Sequence, residues 1–255
     1  MTRLSCCFIG IDLAWSPRNS TGVAALRLVG DRLNVAASGV RQTNEEIVDF
    51  IREHIAPTTI VMIDAPLVVP NETGMRPCDR LMTSHFWRQH AGAYPANRNI
   101  LGRYNKGVPR GKELGLVLCS QLGFAWPPPD VRKIAGQRGR FVFECYPHPA
   151  QVILFGLART LKYKHKKQGW TVARAEFSRY VGYMRALCSP RIELEDSLLR
   201  DLDVSEARGR AYKEREDRLD AIFCAYLSAL VTEGRMDCLG DPHEGSIVLP
   251  TTLER

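Results

Sequence analysis

Apolar stretches at the start of the chain predict three β-strands. The first stretch is almost unbroken and carries one charge, Asp12, which is typical of a central strand buried on both faces. A cluster of turn-forming residues follows it, and Gly30 and Asp31 form a second tight reversal. The predicted strands are residues 6–14, 21–29 and 32–38. Because both connections are short, we expect an antiparallel meander.

The next segment predicts a helix and a fourth strand. Apolar residues recur at helical spacing over 47–55, and Thr43 or Asn44 is placed to cap the first turn. A β-branched run, residues 58–63, follows the helix. Strand, helix and strand in succession imply a right-handed crossover that places the fourth strand beside the first and parallel to it.

The remainder of the chain predicts one further main strand and a series of helices. Residues 66–112 are rich in proline, glycine and arginine and are too long for a structureless connection, so we interpret them as a functional insertion. The fifth strand is predicted over 140–145. Helices are predicted around 78–90, 112–122, 150–159, 171–187 and 191–202, followed by a long helix ending near 233 and a short strand at 247–249.

Together these elements predict an α/β fold in a single domain, residues 1–255. We expect a five-stranded mixed sheet in the order 3-2-1-4-5, with helices on both faces. The insertion lies at about 66–112 and extra helices lie at about 160–205.

Composition excludes several classes of protein. Apolar residues make up 45% of the chain and charged residues 25%, which excludes a disordered or collagen-like chain. No apolar run approaches the roughly 18 residues of a membrane span, and the first residues lack the pattern of a signal peptide, so we expect a cytoplasmic protein without a membrane partner. The eight cysteines form no C-x-x-C pair and are interpreted as reduced and mostly buried.

Acidic residues interrupt three of the predicted strands. Asp12 lies in the first strand, Asp64 closes the fourth, and Glu144 lies in the fifth. A charge in a buried strand is costly unless it is paired or binds a metal, and the carboxyl ends of parallel strands meet at one crevice. Asp217 and Asp220 border the buried stripe of the last helix, which can aim both at that crevice. Five carboxylates are therefore candidates for one catalytic site.

Each acid also has a structural interpretation. Asp12 could cap a turn, Glu144 could pair with an arginine, and Asp217 and Asp220 could face solvent. The combination of acids on three strands and the last helix is more specific than any one of them. If they converge, we expect mutual repulsion to raise their pKa values.

Five motifs resemble those of one known family. They are Gly10-Ile11-Asp12-Leu13-Ala14-Trp15, Ile63-Asp64-Ala65-Pro66-Leu67, Arg76-Pro77-Cys78-Asp79-Arg80, Glu144-Cys145-Tyr146-Pro147-His148 and Asp217-Arg218-Leu219-Asp220-Ala221. In order and spacing they resemble the DUF429 family, predicted to be a nuclease of the ribonuclease H-like (RuvC/YqgF-type) superfamily. The resemblance covers residues 10 to 221 and implies an RNase H-like fold.

The resemblance also implies metal-dependent cleavage of phosphodiesters. In such sites two Mg²⁺ or Mn²⁺ ions activate water and stabilise the leaving oxygen. By position, Asp12 would bridge the ions, Asp64 would be the metal ligand at the end of the fourth strand, and Asp217 and Asp220 would supply the remaining ligands from the last helix. Related resolvases often have glutamate where this chain has the shorter Asp64. Glu144 has no counterpart among them, so three roles stay open for it: a metal ligand, a group that orients a ligand, or a base.

Charge favours a nucleic-acid partner. The net charge is +7, and basic residues cluster at 98–112, 132–140 and 162–167. The alternative is a solvated surface. Cys145-x-x-His148 could be a thiol or soft-metal pair, but a proline-constrained turn is the simpler interpretation.

The leading hypothesis is a metal-dependent nuclease acting on DNA or RNA. The alternative is a non-catalytic nucleic-acid-binding or scaffold protein with the same fold. An actin- or sugar-kinase-like phosphotransferase shares the topology, but 255 residues are short for its two domains. No G-x-G-x-x-G, Walker A, G-x-S-x-G or H-E-x-x-H motif occurs, which disfavours the corresponding chemistries.

Overall fold

The computed structural model describes residues 6–165 and 169–251 and contains a six-stranded mixed sheet in the order β5-β4-β1-β2-β3-β6. The strands of this sheet are β1 (Cys6–Asp12), β2 (Thr21–Val29), β3 (Arg32–Arg41), β4 (Thr58–Ile63), β5 (Arg140–Glu144) and β6 (Arg191–Glu193). A separate antiparallel hairpin is formed by β7 (Met236–Asp241) and β8 (Gly245–Pro250). The helices are α1 (Asn44–His54), α2 (Pro77–Phe86), α3 (Arg98–Leu101), α4 (Arg110–Leu122), α5 (Pro147–Phe155), α6 (Trp170–Ala186), α7 (Asp196–Asp201) and α8 (Gly209–Thr232).

The predicted order of the first five strands is confirmed. β1 pairs antiparallel with β2, β2 pairs antiparallel with β3, and β4 and β5 continue the sheet parallel to β1. Thr43 caps α1, since its hydroxyl accepts a hydrogen bond from the backbone N–H of Glu46 at 3.2 Å.

The prediction of only five strands is wrong. A sixth strand, β6, pairs parallel with β3, and it occupies the start of a segment that we expected to be one helix over 191–202. Three residues with one buried side chain, Ile192, are too few to show the alternation of a strand. The hairpin partner of the predicted strand at 247–249 was also missed.

Helices cover both faces of the sheet, as expected. Alternate residues of β1 point to opposite faces, so that Phe8 packs on the side of α8 and Ile9 on the side of α1 and α4. Within the described part of the chain, no helix is both long enough and apolar enough to cross a membrane.

Helix α8 lies unusually close to the sheet because two glycines face it. A Cβ atom on Gly10 of β1 would lie 2.0 Å from the carbonyl oxygen of Ala221. A Cβ atom on Gly22 of β2 would lie 1.9 Å from the carbonyl oxygen of Asp217. Side chains at these two positions would therefore push the helix away. The close contact fixes which turn of α8 faces the end of β1.

Candidate functional site

Asp12 and Asp64 lie side by side at the carboxyl ends of β1 and β4. The backbone N–H of Asp64 donates to the carbonyl oxygen of Ile11 at 2.8 Å, which continues the parallel ladder beyond the last paired residues. Side chains two residues apart on a strand point to the same face, so Asp12 faces α8 as Gly10 does. Asp64 lies beside Asp12 in the parallel ladder and points to the same face. The structure thus brings these two sequence-predicted acids together on the face that the last helix covers.

Helix α8 contributes the other two predicted aspartates. The carboxyl groups of Asp12 and Asp217 are close enough to share a hydrogen bond, and Asp220 is near enough to repel Asp12. Both helical aspartates are buried, although a solvent-facing position was the structural alternative. Ser20, at the end of the β1–β2 loop, donates to the Oδ2 atom of Asp217 at 2.6 Å and orients it.

Glu144 is placed differently from the four aspartates. In the strand register, Glu144 pairs with Ile63 and Ile63 pairs with Ile11, and these two isoleucines belong to the core on the opposite face. A shift of one residue along a strand reverses the face that a side chain occupies. The residue that aligns with Asp12 and Asp64 is therefore Cys145, which directly follows the last residue of β5.

Both carboxylate oxygens of Glu144 bind Arg76. The guanidinium donates to Oε1 at 2.6 Å and to Oε2 at 2.8 Å, and it also donates to Asp79 at 2.7 Å. All three side chains are buried, with exposed fractions of 1%, 1% and 5% for Arg76, Asp79 and Glu144. The backbone N–H of Leu67 donates to Oε2 as well, at 2.9 Å. These contacts make Glu144 an anchor for the insertion that follows β4. They agree with the interpretation in which Glu144 pairs with an arginine.

Burial is the main cause of the high pKa values in this site. It raises the pKa of Asp64 well above the usual range, with repulsion from Asp12 as the next cause. Burial and then repulsion from Asp12 raise the pKa of Asp217 to about 7. The pKa of Asp12 is raised by burial against the opposing effect of Lys164. The pKa values of these three aspartates are raised, which is the expected direction, but loss of solvent outweighs the expected repulsion.

Two lysines lie among the acids, and sequence reasoning missed their role. The Lys213 ammonium lies 2.5 Å from Oδ1 of Asp217 and 2.8 Å from Glu216. The Lys164 ammonium lies 3.2 Å from Oδ2 of Asp220, whose Oδ1 accepts a hydrogen bond from Tyr163 at 2.8 Å. Lys213 could have been found from its helical spacing to Asp217, since residues four apart share a helix face. Lys164 stood in a basic run that resembles a solvated surface.

The acids offer oxygen donors, but their own ion pairs leave no room for two cations. Asp12, Asp64 and Asp217 offer oxygen atoms, which suit Mg²⁺ or Mn²⁺. The ion pairs of the described site engage Asp217 and Asp220, and a second ion would have to displace Lys164 from Asp220. Over residues 6–165 and 169–251, no group of three or more His, Cys, Asp or Glu residues is arranged so that it could hold a metal ion.

The pair Cys145 and His148 has the properties of buried structural residues. Burial raises the pKa of the Cys145 thiol, so the nucleophilic thiolate is disfavoured, and its sulfur lies 3.6 Å from that of Cys224. Burial lowers the pKa of His148 to about 4, which keeps the imidazole neutral. Pro147 begins α5, and only Cys145 and Tyr146 separate it from the end of β5, in agreement with the interpretation as a proline-constrained turn.

The basic clusters divide between structural and exposed residues. Arg110 is buried and donates to the carbonyl oxygens of Ala14 at 2.8 Å and Gln42 at 2.6 Å, so it is not available to phosphate. Arg103 and Lys106 are exposed. In the third cluster Lys164 belongs to the acidic site, and Lys166 and Lys167 lie outside the described residues.

A comparison with protein families matches residues 10–245 to the family described as a protein of unknown function (DUF429). The chain belongs to the DUF429 family. The matched range contains all five predicted acids together with Arg76, Lys164 and Lys213, so the site described above lies within the DUF429 region. No curated protein matches the chain. The resemblance to DUF429 is thus confirmed, and the description of the family assigns no activity.

Proposed function

We propose that this DUF429 protein is a metal-dependent nuclease that hydrolyses phosphodiesters of nucleic acid in an RNase H-like site. The observation that carries the proposal is the convergence of Asp12, Asp64 and Asp217. The first two end adjacent parallel strands, and α8 brings the third against Asp12. Ligand sites of open α/β sheets lie at this position. The strand order β3-β2-β1-β4-β5 also agrees with the fold implied by the sequence motifs.

A divalent ion would be held by Asp12 and Asp64, with Asp217 as a third ligand. When bound, such an ion polarises a phosphoryl oxygen and lowers the pKa of water. Lys164 and Lys213 place two ammonium groups at the same site, where they are able to bind phosphate oxygens.

We propose nucleic acid as the partner for two reasons. The positive net charge of the chain favours a polyanion, and the proposed site acts on phosphodiesters. The chain has a net charge of +7 although its candidate site is acidic. Exposed Arg103 and Lys106 add cations on the insertion. Cations that flank an acidic site are able to bind the phosphates on either side of the reacting one.

One observation favours the non-catalytic alternative. Lys213 neutralises Asp217, and Lys164 neutralises Asp220. A site closed in this way by its own cations would bind nucleic acid without holding a second metal ion. The two hypotheses differ in whether metal-dependent cleavage accompanies binding.

The experiment compares three forms of the purified protein on single-stranded and duplex DNA and RNA, with Mn²⁺, Mg²⁺ or EDTA. The forms are wild type, Asp12→Asn and a matched control, Asp49→Asn, whose side chain is exposed on α1. The proposal expects cleavage by wild type and the control, none with EDTA, and a loss of at least 100-fold in Asp12→Asn. Binding without cleavage by any form would favour the alternative, and cleavage that survives Asp12→Asn would contradict the nuclease proposal.

A further inference from the structure

A cleft opens beside Asp64, on the side of the insertion. It encloses about 490 Å³ when the space open to solvent is included. Its wall contains three rings, those of Trp15, Tyr94 and Tyr146, together with Pro66 and Pro95. Asp64 is part of the same wall, so a molecule bound in the cleft lies directly next to the candidate metal ligand.

Two of the rings present large apolar surfaces to solvent. Trp15 is 38% exposed and Tyr94 is 72% exposed. Exposed aromatic surface at the mouth of a cleft is typical of a binding site rather than of a folded core. The ring of Trp15 lies 5.8 Å from that of Tyr104, which is also exposed, so the aromatic surface continues beyond the cleft.

The cleft is held in shape by buried polar contacts. The Tyr146 hydroxyl donates to the carbonyl oxygen of Gly92 at 3.2 Å, which ties the start of α5 to the segment that carries Tyr94. Below it, the charges of Arg76 and Glu144 are paired with each other. The charged groups of the floor are therefore hydrogen-bonded to one another, with one cation shared by two carboxylates, and recognition of a base in the cleft rests on the rings.

The aromatic surface leads into a cationic segment. Arg103 and Lys106 flank Tyr104 and are exposed, and residues 98–106 contain no acidic residue. Stacking rings next to exposed cations are the combination that binds single-stranded nucleic acid, because the rings contact bases and the cations contact phosphates.

We propose that this cleft binds an unpaired nucleobase of a single-stranded nucleic acid, stacked on Tyr94 and Trp15. The adjoining backbone follows Tyr104, Arg103 and Lys106, and the phosphodiester next to the bound base lies at Asp64. This assignment rests on the proposed function, because it takes the acidic site to act on a nucleic acid. It adds the substrate class, since bases stacked within a duplex offer no free face to the rings.

The experiment measures binding in EDTA, so that it does not depend on cleavage. Fluorescein-labelled dT12, U12 and a 12-base-pair DNA duplex are titrated with wild type, Tyr94→Ala, Tyr94→Phe and Trp87→Ala. Tyr94→Phe keeps the ring, and Trp87→Ala removes a ring of 59% exposure that lies outside the cleft. Anisotropy gives the dissociation constants, and thermal melts show that each variant is folded.

The proposal expects wild type to bind dT12 or U12 at least about tenfold more tightly than the duplex, and the preferred strand identifies DNA or RNA. Tyr94→Ala should weaken this binding by about 5- to 100-fold, whereas Tyr94→Phe and Trp87→Ala should change it less than about twofold. Equal affinity for the duplex, or a Tyr94→Ala variant that binds as tightly as Trp87→Ala, would overturn it.

The same proteins assayed with Mn²⁺ separate the two proposals. Strand binding that requires the Tyr94 ring in a protein without cleavage supports the cleft and contradicts the nuclease. Cleavage that is unaffected by Tyr94→Ala supports the nuclease and contradicts the cleft.

Discussion

Gly22 of β2 lies directly against Asp217 of α8, and a Cβ atom on Gly22 would stand 1.9 Å from the Asp217 carbonyl oxygen. The contact involves the backbone of the helix, which cannot move aside as a flexible side chain can. It joins the packing of the sheet to the position of a candidate ligand. The helix approaches the end of β1 closely because glycine occupies this position.

We expect Gly22→Ala to destabilise the protein and to displace Asp217 from Asp12. Overpacking of this kind costs about 1–3 kcal/mol in the free energy of unfolding. Gly182→Ala is the matched control, because Gly182 lies in α6 with nothing within 4 Å of an added Cβ. The control should be neutral or stabilised by up to about 1 kcal/mol, since alanine favours a helix more than glycine does. Urea unfolding measures both, and equal stability of the two variants would contradict the prediction.

Mn²⁺ should stabilise the wild-type protein against thermal unfolding. An ion that binds the folded state stabilises it by about 2.7 kcal/mol at a hundredfold excess over its dissociation constant. Asp12→Asn should leave the metal-free protein at least as stable, because it removes a half-buried carboxylate next to Asp64 and Asp220. It should also reduce the effect of Mn²⁺. A mutant midpoint that rises as much as that of wild type would show that Mn²⁺ binds elsewhere.

The metal-free protein should lose stability as pH rises between about 4 and 7. The pKa values of Asp64 and Asp217 are raised in the folded state, that of Asp217 to about 7, so the folded protein binds more protons than the unfolded chain in this range. Asp64→Asn removes one of these groups and should lose less stability over the same range. Urea unfolding in EDTA at pH 5 and pH 7 measures the difference, and parallel losses in both proteins would refute the assigned cause.

Arg76→Met should be among the most destabilising single substitutions at this edge of the sheet. It leaves the buried carboxylates of Glu144 and Asp79 without their cation, at a cost of about 3–5 kcal/mol. Arg132→Met breaks an exposed ion pair with Asp130, which water screens, and should leave the free energy of unfolding nearly unchanged. Similar losses for the two variants would mean that the buried network contributes little.

Glu144→Gln distinguishes an anchor from a metal ligand. Because Arg76 occupies both of its oxygens, we expect the variant to lose stability while keeping the wild-type response to Mn²⁺. Loss of the Mn²⁺ effect in thermal melts would restore Glu144 to the ligand set.

The strand order could be predicted because short turns and a right-handed crossover leave few choices. The position of Glu144 could not, since a pattern of apolar residues locates a strand without fixing its register to the next one. Ile63 and Glu144 are paired, so the predicted acid falls one residue short of the row that contains Asp12 and Asp64. The boundary of β5 alone gave no indication of that shift.

The environment of a charged residue was equally hard to predict. Lys164 stood in a run of basic residues, yet it lies against Asp220. Arg110 stood in another run and is buried among backbone carbonyl groups. Both placements depend on contacts with distant parts of the chain, which local spacing does not reveal. Gly10 and Gly22 were a usable signal, because glycine within a buried strand often marks a close backbone approach.

Anomalous diffraction of Mn²⁺ in crystals of the protein soaked with the metal tests most directly whether these acids form a metal site. We expect a peak in direct contact with the carboxylate oxygens of Asp12 and Asp64, which disappears in Asp64→Asn crystals soaked in the same way. Crystals that show no peak at these two residues, with Lys164 and Lys213 still paired to Asp220 and Asp217, would contradict the claim that these acids form a metal site.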